Sequence, residues 1–144
     1  MEEAALTAAL EGLPHGPEFR FIDRLTALVP GKSGAGEYLV RGDEPFLKGH
    51  FPGYPLMPGV LLLEAAAQLG GVVAQCDPEH APLAGLKLTA LRAVKILGSA
   101  QPGQIVQVAA KIEGRMGNLI QASATAHVGG TLVLQASITL SGAG

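Results

Sequence analysis

Residues 60–74 contain only two polar side chains, Glu64 and Gln68, and every other position is aliphatic or glycine. Pro58 stands just ahead, where the first turn of a helix accepts a proline, and Asp77-Pro78 follows, where a helix stops. One long helix is therefore predicted over residues 58–76. A helix that is apolar on nearly every side must be buried on nearly every side. A single sheet covers one side of it, so the other side needs more protein. A second copy of the chain is the simplest supplier, and the pattern predicts a homodimer.

The C-terminal half has a different period. Ile120, Ala122, Ala124, Ala126 and Val128 alternate with Gln121, Ser123, Thr125 and His127, and residues 132–140 repeat the alternation. Gly129-Gly130 between them is a two-residue hairpin signal. Further strands are predicted over 86–97 and 106–112, with turns at Pro102-Gly103 and Gly117-Asn118. In the N-terminal half a short helix over the first dozen residues is stopped by Leu13-Pro14. A strand over 19–29, a turn at Pro30-Gly31-Lys32 and a strand over 37–41 follow. Prolines and glycines exclude regular structure over 49–59. The expected order is helix, two strands, one long helix, four strands. That is an α+β domain spanning 1–144, with an antiparallel sheet dry on one face.

Composition narrows the partners. A net charge of -2 argues against nucleic acid, which selects basic surfaces. The longest apolar run is shorter than the roughly 20 residues of a membrane span. Residues 1–13 carry Glu2 and Glu3 and no basic start, so they do not read as a signal peptide. The single cysteine, Cys76, fits a reducing compartment, and a cytoplasmic protein is expected.

Two groups point to chemistry. His50 sits in a loop fixed by Gly49, Pro52, Gly53, Pro55, Pro58 and Gly59, and Glu64 is isolated in apolar surroundings. A histidine and a carboxyl near one helix start can act as base and acid on an apolar substrate. Gly59 leaves a backbone N–H at the helix start open to a carbonyl oxygen, reinforced by the helix dipole. Gln68, one turn after Glu64, is its orienting neighbour at the substrate site. The plainer readings are a histidine bonded only to its loop and a carboxylate on a groove edge or dimer contact. His15, His80 and His127 lack the spacing of metal ligands. Gly31-Lys32-Ser33 lacks the upstream glycine of a phosphate loop. Lys87, Arg92, Lys95, Lys111 and Arg115 read either as one basic patch or as a solvated strand face.

Residues 49–68, Gly-His-Phe-Pro-Gly-Tyr-Pro-Leu-Met-Pro-Gly-Val-Leu-Leu-Leu-Glu-Ala-Ala-Ala-Gln, resemble the signature of the 3-hydroxyacyl-[acyl-carrier-protein] dehydratases of type II fatty-acid synthesis. Leu13-Pro14-His15, Ile22-Asp23-Arg24, Glu44-Pro45-Phe46 and Pro102-Gly103 extend the resemblance over nearly the whole chain. It implies the hot-dog fold, a curved antiparallel sheet wrapped around a long helix, in dimers that associate as a hexameric trimer of dimers. It implies His50 as the catalytic histidine, Glu64 as the acid supplied by the partner subunit, and Gly59 as donor to the thioester carbonyl. The implied substrate is a (3R)-hydroxyacyl thioester carried on the phosphopantetheine of an acyl carrier protein, dehydrated with no metal or dissociable cofactor. Within the same fold the alternatives are a thioesterase or enoyl hydratase acting on coenzyme A esters. Outside catalysis, the alternative is an acyl-binding module.

Overall fold

The computed structural model of the 144-residue chain describes residues 2–49 and 56–143. In chain order it contains α1 (Glu3–Glu11), a 3-10 turn (Pro17–Phe19), β1 (Arg24–Val29), β2 (Ser33–Leu39) and α2 (Pro45–Gly49). Then come α3 (Gly59–Gln75), β3 (Lys87–Ile96), β4 (Ile105–Met116), β5 (Leu119–Val128) and β6 (Thr131–Ser141). The strands form one six-stranded sheet in the order β1-β2-β4-β5-β6-β3. All neighbouring pairs run antiparallel.

The period-two pattern builds the dry face. Val106, Val108 and Ala110 of β4, Ile120 to Ala126 at alternate positions of β5, and Leu134, Ala136, Ile138 and Leu140 of β6 are all buried. Pairing puts them in rows: Ala110 opposite Ala124, Ala124 opposite Ala136, Ala122 opposite Ile138. Gly129 and Gly130 join β5 to β6 at φ +57° and +82°. Two successive left-handed residues are what the tight hairpin turn needs, and glycine adopts them without strain.

The helix lies on this face, and Leu62, Ala65, Ala66, Leu69 and Val73 are fully buried. Full burial of a leucine contributes about 2 kcal/mol, so these side chains anchor helix to sheet. The far side of α3 is covered by the chain itself. Residues 13–22 cross over it, with the Phe21 N–H donating to Gln68 Oε1 at 3.0 Å and Gln68 Nε2 donating to the Phe19 carbonyl at 2.8 Å. Burial of α3 therefore needs no second chain, which corrects the reason given for a dimer. Val60, 64% exposed in its first turn, is the large α3 side chain most open to solvent. Open apolar side chains also lie on β3 and just after it, where Leu91, Ile96 and Leu97 are all exposed.

Other elements also differ from the prediction. β1 begins at Arg24 rather than Phe19, because Phe21 bonds to Gln68 instead of to a neighbouring strand. β2 occupies Ser33–Leu39, earlier than the predicted 37–41. Pro45–Gly49 forms a short helix that the proline- and glycine-rich pattern hid. Of the stretch predicted irregular, 50–55 lies outside the described residues, and Met57 bridges to Ala100 just before α3 begins.

Buried Glu44 organises the turn from β2 into α2. It accepts the Tyr38 hydroxyl at 2.7 Å and the N–H groups of Arg41 and Gly42 at 3.0 and 2.8 Å. Burial alone would push its carboxyl up, but these donors outweigh it and hold the group below its ordinary value. Tyr38 moves up, first through burial and then through its bond to Glu44.

Candidate active site

Glu64, Gln68, Gly71 and Gln75 follow one another at helical spacing on α3 and line one wall of a cavity of about 780 Å³. The facing walls include Ala9 of α1, Leu13, His15, Leu83 and Leu86. Such a volume suits a small-molecule ligand. Gln75 closes the end remote from Glu64, donating to the Leu83 carbonyl at 2.7 Å and accepting the Leu83 N–H at 2.9 Å. Gln75 is eleven positions after Glu64 on the helix, about 16 Å at the usual rise. The space thus runs along about 16 Å of helix and is mostly apolar, and Glu64 at one end is the one carboxyl among its described lining residues.

That carboxyl is held firmly. Gln68 is almost fully buried, and its amide, already fixed on the backbone of Phe19 and Phe21, donates to Glu64 Oε2 at 3.0 Å. His15 approaches the same oxygen, Nε2 to Oε2 at 3.5 Å. His15 is itself placed by Arg20, whose guanidinium donates to the carbonyls of His15 and Leu13 at 2.7 and 2.8 Å. Its ring stacks on Phe19 with centroids 6.1 Å apart. Sequence reasoning set His15 aside as a metal ligand and gave it no other role. The signal was its place in Leu13-Pro14-His15, a run stiffened by proline.

Gly59 is the first residue of α3, so its N–H has no acceptor within the helix. A Cβ at this position would collide with the Ile96 side chain, so a larger residue would force Ile96 to move. The structure thus brings Glu64 and Gln68 together, with Gly59 at the head of the same helix. His50 lies outside the described residues.

The remaining candidates disperse. Lys87, Arg92 and Lys95 are on β3 while Lys111 and Arg115 are on β4, with β5 and β6 between, so no single basic patch forms. Arg115 turns toward the C-terminal end of α3, reaching the Ala74 carbonyl at 3.5 Å. Burial pushes the Cys76 thiol up, away from the reactive thiolate. A second hollow of about 620 Å³, walled by Arg20, Asp23, Arg41 and Glu44, holds none of the predicted site residues. There Arg41 pairs with Asp23, and Glu44 accepts the Tyr38 hydroxyl.

Comparison with known proteins adds three findings. A family model described as the FabA-like domain matches residues 13–137. The 3-hydroxyacyl-[acyl-carrier-protein] dehydratase FabZ of Chloroflexus aggregans is 36% identical over 126 residues, which is 88% of this chain and 87% of that protein. Among solved structures, the dehydratase heterocomplex ApeI:P from Xenorhabdus doucetiae superposes with a TM-score of 0.79 at 16% identity, over 96% of this chain and 91% of that one. Zebra fish thioesterase superfamily member 2 superposes at 0.69 with 13% identity, over 94% and 91%. At such identities the two structures establish a shared hot-dog architecture and nothing about chemistry.

Proposed function

This chain belongs to the FabA-like family, and from that premise we propose that it is a hydro-lyase that dehydrates (3R)-3-hydroxyacyl groups on acyl carrier protein to trans-2-enoyl thioesters in fatty-acid synthesis. The observation that carries the reading is Glu64: a single carboxyl, fixed by Gln68, on the wall of an elongated apolar cavity. Relatives named for this reaction are 36% identical over 88% of this chain.

The chemistry assigns the roles. The α-proton of a thioester is weakly acidic, so a base and a carbonyl-oxygen donor must act together. We assign His50 as base and the Gly59 N–H as donor to the thioester oxygen. The pair of electrons from the Cα–H bond becomes the second bond of the alkene. The Cβ–O bond breaks as Glu64 gives its proton to the hydroxyl, and water leaves. The acyl chain runs along α3 toward Gln75.

The assembly follows from β3. Its outer edge is unpaired among the described residues and carries exposed Leu91 and Ile96, an edge that proteins usually cover. A second copy pairing there forms a homodimer, with a trimer of such dimers as the finer assembly. Gly59 backs onto Ile96, so the partner adjoins the head of α3 and can bring its own His50 to this chain's Glu64. No helix among the described residues is long and apolar enough to cross a membrane, which agrees with a cytoplasmic reaction.

Substrate assays separate the competing chemistries. Incubated with carrier-bound (3R)-3-hydroxyacyl thioester, the protein is expected to produce a species lighter by one water with its thioester intact. The coenzyme A ester should turn over more slowly. Release of free carrier thiol without water loss would identify a thioesterase, and binding without turnover would identify an acyl-binding module.

A further inference from the structure

We propose that His15 is a positioning residue for Glu64: as the Nε2–H tautomer it directs its N–H at Glu64 Oε2. Together with Gln68 it fixes that oxygen as an acceptor, so the transferable proton of the acid is carried on Oε1. This deepens the dehydratase reading and rests on Glu64 being the acid.

The donors are determined by their other partners. Gln68 Oε1 takes the Phe21 N–H at 3.0 Å, and Gln68 Nε2 gives one hydrogen to the Phe19 carbonyl at 2.8 Å. Flipping the amide would set oxygen against oxygen and N–H against N–H, so the second hydrogen on Nε2 faces Glu64 Oε2. For His15, the Nδ1 atom is buried and has no hydrogen-bond partner among the described residues. A buried N–H with no acceptor is a rarer and costlier orphan than a bare lone pair. The proton therefore belongs on Nε2, 3.5 Å from Glu64 Oε2. At that distance the contact is an oriented dipole rather than a tight hydrogen bond. Arg20, holding the backbone on both sides of Pro14, and Phe19, stacked on the ring, keep it aimed.

With the Gln68 N–H bonded to it and the His15 N–H turned toward it, Oε2 is the accepting oxygen of the carboxyl. The acid proton sits on Oε1, to which no described residue bonds. During dehydration the Oε1–H bond breaks and a new O–H bond forms on the leaving hydroxyl. The carboxylate left behind has its charge met at Oε2 by Gln68 and His15, donors already in place before the charge develops.

The test has a kinetic and a spectroscopic arm. A contact this long is weaker than a hydrogen bond to a charged group, so His15→Ala should lower kcat by roughly 3- to 10-fold with KM little changed. His15→Gln, which offers an amide N–H at similar reach, should recover most of the loss. In wild-type protein labelled with 15N-histidine, NMR should show the His15 ring protonated at Nε2, a reading that needs no substrate. An Nδ1–H tautomer would overturn the proposal even if His15→Ala failed to fold. So would a folded His15→Ala with normal kcat, or a His15→Gln as slow as the alanine variant. If the wild type does not dehydrate carrier-bound substrate, the functional reading fails, while the tautomer measurement still decides where His15 directs its proton.

Discussion

Glu64→Gln is expected to lower dehydration by roughly two to four orders of magnitude, the contribution of a positioned acid or base. The substitution keeps shape and reach, and its amide oxygen can still accept the N–H of Gln68. What it removes is the proton the departing hydroxyl needs, since an amide does not protonate a leaving group. Stability should be little changed or slightly improved, because no carboxyl then has to be kept in a mostly apolar cavity. Thermal melting alongside turnover separates the two effects. A folded Glu64→Gln with near-normal turnover would reduce Glu64 to a wall residue, and a large loss of stability with activity retained would make it a structural contact.

His50→Ala should cost a similar factor by removing the base that takes the α-proton. The argument comes from the sequence around it: Pro52, Pro55 and Pro58 restrict the backbone after it, while Gly49 and Gly53 admit turns that other residues resist. Alanine at position 50 leaves those prolines and glycines in place. Secondary structure by circular dichroism should therefore match wild type. A folded His50→Ala that turns over normally would remove His50 from the reaction.

Particular residues show what the sequence could and could not reveal. α3 was legible almost to the residue, since Pro58 and Asp77-Pro78 mark its ends and no polar face breaks its pattern. β5 and β6 were equally legible, because strict alternation and Gly129-Gly130 fix both period and turn. The first two strands were not. Residues 19–23 look like strand, yet the backbones of Phe19 and Phe21 bond to Gln68 across the helix, a partner 47 positions away for Phe21. β2 carries Gly34 and Gly36 and lacks strict alternation, so its edges had no marker. The place of β3 at the far edge, next to β6 rather than β4, depends on a crossover that no local pattern encodes. Glu64 with Gln68 was readable because one helical turn separates them. His15 was not, since only the passage of residues 13–22 over α3 brings it to a carboxyl 49 positions later.

Mixing His50→Ala with Glu64→Ala, after allowing subunits to exchange, tests most directly whether dehydration uses Glu64 of one chain and His50 of the other. In a two-fold dimer each residue occurs twice and two composite sites form. Random exchange makes half the dimers mixed, and each mixed dimer holds one site with both residues intact. Activity should rise from the level of either variant alone to about a quarter of wild type by this symmetry argument. If mass spectrometry confirms mixed dimers and activity stays at the single-variant level, the two groups do not meet across the dimer and the account is wrong.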